Sequence, residues 1–120
     1  MPFKKILGKI TWEFPGKCGA ILIDPLGESV DMTGTFSPYR LRAAGAHQGI
    51  VSKNLGDNIR RLVSAEVEEI QIVTDKWLTL MLPVDQDYTL VCMFENSDIE
   101  LNKFLRAARN AIPALKKEMF

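Results

Sequence analysis

The spacing of apolar residues along this chain changes repeatedly, and each change marks an element. Phe3, Ile6, Leu7 and Ile10 recur at helical spacing with Lys4, Lys5 and Lys9 off the stripe, which predicts a short amphipathic opening helix. Pro15-Gly16 closes the segment after it. Cys18 to Asp24 is a continuous apolar run of strand length, the pattern of a central strand covered on both faces. Asp24-Pro25-Leu26-Gly27 is tight-turn chemistry: Pro presets φ at the second position and Gly accepts a positive φ. Glu28 to Met32 then alternates polar and apolar, as the return strand of a hairpin does.

Ser37-Pro38 supplies a hydroxyl cap and a proline at the first helical position, where its missing N–H does no harm. A long second helix is expected from there to about Leu62, with Gly56-Asp57 as its weak point. Glu69–Thr74 alternates and Trp77–Leu82 is nearly all apolar; with only Asp75-Lys76 between them they read as a second hairpin. After the 83–87 loop, Tyr88–Phe94 makes a fifth, largely buried strand. Asn96-Ser97-Asp98 offers caps for a last helix. Its apolar stripe is Leu101, Phe104, Leu105, Ala108, Ile112, Leu115 and Met119, opposite Lys103, Arg106, Arg109 and Lys117, with a local kink expected at Pro113. The order α-β-β-α-β-β-β-α, with its hairpin-linked strands, predicts an α/β (α+β) domain: a single five-stranded, mostly antiparallel sheet with helices on its faces.

The 120 residues suit one domain over positions 1–120 with a core of its own. Fifteen basic and fifteen acidic residues cancel. That balance argues against nucleic acid and against electrostatic adhesion to anionic membranes. No apolar run has the length of a signal peptide core or a membrane span, so no membrane insertion and a cytoplasmic location are expected. Cys18 and Cys92 each sit in an apolar run, with no second Cys or His at ligand spacing, and read as free buried thiols rather than as metal ligands.

Catalytic chemistry is not legible. His47 is the only histidine, and no nucleophile elbow, phosphate loop, dinucleotide fingerprint or zinc-protease motif is present. Neither a cofactor nor a metal is expected, and no enzyme activity. Glu66, Glu68 and Glu69 read as charges guarding a strand edge.

The second helix is the informative element. At roughly 100° per residue, Leu41, Ala44, Val51, Leu55 and Leu62 fall in one stripe, expected to face the sheet. Tyr39, Ala43, Ala46 and Ile50 form another more than a quarter-turn away, expected to meet a second polypeptide, with packing under the N-terminal helix or a loop as the alternative. Ala43, Ala44, Gly45, Ala46 and Gly49 would let another helix approach closely there. Each glycine costs the helix up to about 1 kcal/mol against Ala, a loss that close approach would offset.

The string from Phe14 to Glu28, the Leu82-Pro83-Val84-Asp85 loop with Tyr88-Thr89-Leu90-Val91, and the closing Pro113–Glu118 run together resemble the Roadblock/dynein light chain family, over about Lys5 to Glu118. The resemblance implies a Roadblock/profilin-like fold and a dimer formed by pairing third strands and packing second helices. It maps the pairing strand to Val67–Thr74, with Val67, Ile70 and Ile72, and the helix contact to Tyr39, Ala43, Ala46, Gly49 and Ile50. It further implies a non-catalytic, MglB-like homodimer that binds and modulates or localises a small Ras-like GTPase. A dynein-light-chain-type scaffold subunit and a profilin-like small-molecule sensor are the alternatives.

Overall fold

The computed structural model describes residues 2–95 and 101–120, and the expected order of elements is present. They are α1 (Pro2–Thr11), β1 (Cys18–Ile23), β2 (Ser29–Gly34), α2 (Pro38–Val63), β3 (Ile70–Val73), β4 (Trp77–Pro83), β5 (Thr89–Glu95) and α3 (Asn102–Met119). The caps expected at Asn96-Ser97-Asp98 lie outside the described residues. Local chemistry explains most boundaries. Ser37 caps α2 by accepting a hydrogen bond from the Arg40 amide, and Ser64 ends it in the left-handed region at φ 55°. Asp24 Oδ1 accepts from the amides of Leu26 and Glu28, and Gly27 takes φ 82°, which closes the first hairpin. The helices run through both expected weak points: α2 continues past Gly56-Asp57 and α3 past Pro113.

The five strands form one antiparallel sheet in the order β2-β1-β5-β4-β3. β1, β5 and β4 are interior, while β2 and β3 are the edges. Alternate residues point to opposite faces, which divides the core in two. On one face α1 and α3 cover Ala20, Leu22, Leu80, Leu90, Cys92 and Phe94; Leu7 and Ile10 of α1 and Ala108 and Leu115 of α3 reach full burial against them. Each large aliphatic side chain buried in this way stabilises the fold by about 1.5–3 kcal/mol. Phe14, Phe94 and Phe104 pack ring on ring with centroids 4.9–5.9 Å apart, fixing α3 to the sheet. On the other face α2 alone packs over Ile21, Ile23, Met81 and Val91. Three helices on two faces leave one face thinly covered. Both cysteines are free and buried, as their apolar surroundings predicted.

A candidate interaction surface on α2 and the β3 edge

The long helix does not turn its most apolar stripe to the sheet. The buried line of α2 is Leu41, Gly45, Gly49 and Ser52. Leu41 sits over Gly19, and the backbone at Gly45 and Gly49 rests on Ile21 and Ile23, so α2 runs along β1. A Cβ at Gly49 would stand 2.9 Å from Ile23 Cγ2. The glycines therefore serve helix-on-sheet contact rather than approach by an outside helix. This corrects the expectation for Gly49, which lies underneath the helix and not on its outer surface. It also corrects the expectation for the first stripe: Leu41 is buried, but Val51 (46 %), Leu55 (40 %) and Leu62 (74 %) are exposed. The physical reason is steric. A helix without side chains at two successive contact positions can lower its backbone onto a branched strand surface, and that approach decides its rotation.

This rotation leaves two apolar flanks. Gly27, in the turn between β1 and β2, faces Ala46 and Ile50, so that side of α2 leans over the β2 edge. Tyr39, Ala43 and Ile50 on it are exposed, Tyr39 at 81 %, and Ala46 is half-buried. Ala44, Val51, Leu55 and Leu62 occupy the opposite flank. The α2 face of β3 is apolar too. Ile70 and Ile72 pair with Met81 and Thr79, hence share the α2 face with them, and Ile70 packs against the smaller core while Ile72 is exposed. Val67, expected in the strand, lies in the connector ahead of it and is half-buried.

The two sheet edges are guarded differently. On β2, Asp31 lies opposite Leu22 and so faces the α1 layer, where its carboxylate is 3.3 Å from Lys4 Nζ; the register also shifts between Leu22 and Ile23. An inward charge and an irregular register both obstruct pairing with another strand. β3 carries neither device. It pairs with β4 on one side, and among the described residues nothing pairs its other side. Two of the three acidic residues ahead of it are engaged: Arg60 holds Glu66 through two hydrogen bonds (2.8 and 2.9 Å), and Arg109 of α3 holds Glu69 through two more (2.7 and 3.0 Å). These guanidinium contacts hold both carboxyls below the usual carboxylate range.

One cleft of about 480 Å³ opens between the second half of α2, residues 66–68, the β4–β5 turn and the end of α3. Ser52, only 2 % exposed, lines it, and its hydroxyl has no hydrogen-bond partner. His47 is exposed on α2, and no group of three or more potential metal-binding side chains occurs among the described residues. No described helix is long and apolar enough to cross a membrane.

Neither a family model nor a curated protein matches this sequence. Solved structures do match the fold. A Roadblock/LC7 domain from Streptomyces avermitilis superposes with a TM-score of 0.82 at 10 % identity, covering 96 % of this chain and 95 % of the other. MglC from Myxococcus xanthus gives 0.71 at 21 % identity, covering 98 % and 99 %. The gliding protein MglB from Thermus thermophilus gives 0.80 at 17 % identity, covering 97 % and 87 %. The architecture is the Roadblock/LC7 fold, as the sequence resemblance implied.

Proposed function

We propose that this chain, built on the Roadblock/LC7 fold, is a homodimeric regulator or adaptor of a small Ras-like GTPase. The observation that carries the dimer is the thinly covered sheet face, which bears both the free β3 edge and an exposed α2 flank. Two copies related by a two-fold axis would pair β3 with β3 into one ten-stranded sheet. Ile70 and Ile72 of each copy, together with Val51 and Leu55 of α2, would then be shielded from water. The other flank, with Tyr39, Ala43, Ala46 and Ile50, stays open in such a dimer and is the surface offered to the GTPase. The sequence resemblance and the likeness to MglB and MglC structures support that choice of partner. Hydrolysis would remain with the GTPase, whose position or switch conformation this protein would set.

Two measurements test the reading. Light scattering should give a dimer mass at micromolar concentration, and a stable monomer there would overturn the assembly. The purified dimer should capture a GTPase loaded with GDP or a GTP analogue from a panel, and Tyr39→Glu should abolish capture without altering the dimer mass. Capture unchanged by that substitution would overturn the assigned surface.

A sensor reading has one observation in its favour, the unpartnered Ser52 hydroxyl in the cleft below α2. A rise in melting temperature with one small polar metabolite, lost in Ser52→Ala, would support it. No rise across a metabolite panel would remove it.

A further inference from the structure

The zero net charge is the sum of two opposite parts. α1 and α3 together contain eight of the fifteen Lys and Arg residues and only one of the fifteen Asp and Glu, Glu118. These two helices therefore carry +7 and the remainder of the chain −7. They are remote in sequence, yet the fold lays them side by side on the face opposite α2. Three of the eight cations are engaged: Lys4 with Asp31, Lys103 with Glu13 and Arg109 with Glu69. Lys5, Lys9, Arg106, Lys116 and Lys117 have no ion pair among the described residues, and all five are exposed. Trp12 follows α1 at 69 % exposure, sharing a shallow depression with Lys9, Phe104 and the paired Glu13 and Lys103.

From this arrangement we infer that the α1/α3 face docks on the surface of an anionic lipid bilayer. Three features select a bilayer over a folded partner. The charge is spread along two helices rather than gathered in a pocket. It is mostly lysine, a compact charge suited to diffuse attraction rather than to forked recognition of one carboxylate. Of the two exposed aromatics beside it, Trp12 and Phe120, one is a tryptophan, whose indole is stable at headgroup depth. The apolar stripes of both helices are already used in the core, so the helices rest on the headgroups and do not insert. Each basic residue brought near an anionic leaflet strengthens binding, and salt weakens the attraction over a Debye length. This inference does not require the dimer or the GTPase. It leaves the α2 face free, so a protein held there could be placed at a membrane.

The test is co-sedimentation of the full chain with vesicles of phosphatidylcholine alone and of phosphatidylcholine mixed with phosphatidylglycerol. Binding is expected to the mixed vesicles at low ionic strength, with none to the neutral ones and a steep loss in high salt. Combining Lys5→Gln, Lys9→Gln, Arg106→Gln and Lys117→Gln should weaken it by about 100-fold or more while circular dichroism and GTPase capture stay unchanged. Trp77 is the only other tryptophan, so Trp77→Phe leaves Trp12 as sole reporter; its emission should shift to the blue with mixed vesicles. Failure to sediment with mixed vesicles, equal binding to neutral ones, an unaffected quadruple variant or an unmoved Trp12 emission would each overturn the proposal. So would tighter binding to duplex DNA or to a polyglutamate peptide than to mixed vesicles at the same salt, which would assign the face to another class of partner.

Discussion

Gly45 of α2 lies directly on Ile21 of β1: a Cβ at position 45 would stand 2.8 Å from Ile21 Cγ2, well inside van der Waals contact. Ile21 is fully buried and branched at Cβ, so its methyl has little freedom to move aside. Gly45→Ala gains about 1 kcal/mol of helix propensity, but overpacking costs about 1–3 kcal/mol. A net loss of stability is expected, and Gly49→Ala should behave alike against Ile23. Urea unfolding at fixed protein concentration measures both, and a raised midpoint would contradict the close approach.

Gly56 provides the opposite case. Nothing lies within 4 Å of a Cβ built there, so Gly56→Ala should stabilise the chain by up to about 1 kcal/mol. Ser64 holds φ 55° at the end of the same helix, where glycine carries no steric penalty, so Ser64→Gly should stabilise by a few tenths to about 1 kcal/mol. The same unfolding experiment reads both changes.

Val51→Arg or Leu55→Arg should convert the proposed dimer to a folded monomer. Both side chains reach water in the isolated chain, Val51 at 46 % and Leu55 at 40 %, so a charge there can stay solvated, but it would be trapped when the flank is covered. Light scattering together with circular dichroism separates assembly from folding. A dimer that persisted in both variants would place the interface elsewhere.

The Glu69–Arg109 pair should make stability fall in acid. The folded-state pKa of Glu69 is held below the ordinary value of 4.5, chiefly by the hydrogen bond from Arg109. Stability from this pair is therefore fully present above that value and is lost as pH drops through the depressed one. Arg109→Gln should be less stable than the parent near neutral pH, with the gap closing below about pH 4.5. Unfolding midpoints across a pH series check this; a gap constant with pH would mean that Arg109 acts through packing alone.

Cys18 and Cys92 should resist thiol reagents in the native state. Burial pushes both thiols up, Cys92 the more strongly, and the thiolate is the reactive form. Ellman's reagent near pH 8 should label neither until denaturant is added. Rapid labelling of the folded protein would show that the α1/α3 layer opens.

Much of this structure was legible in local sequence. The cap at Ser37, the turn at Asp24–Gly27, the apolar run of β1 and the stripe of α3 each depend on neighbours a few residues away. The surface was half legible. Tyr39, Ala43 and Ile50 lie exposed on α2 as expected, and Ile70 and Ile72 lie on the edge strand. Gly49 and the Val51–Leu55 flank were exchanged, because hydropathy ranks Val and Leu above Gly as contacts for a sheet. Paired glycines at a four-residue interval, opposite a strand rich in isoleucine, were the signal for the true contact line.

Sequence alone determined the elements, their order and their class, because helical and strand periods, caps and turns are encoded by residues close together in the chain. Tertiary structure decided two further things. It set the rotation of α2, which follows from how near a glycine backbone can come to Ile21 and Ile23 rather than from which side chains are most apolar. It also joined residues 2–11 and 102–119 into one basic layer and left β3 at an open edge, since pairing β1 with β5 fixes the strand order across long stretches of chain. A count of charges is blind to that geometry; only packing separates a neutral chain into a positive face and a negative remainder.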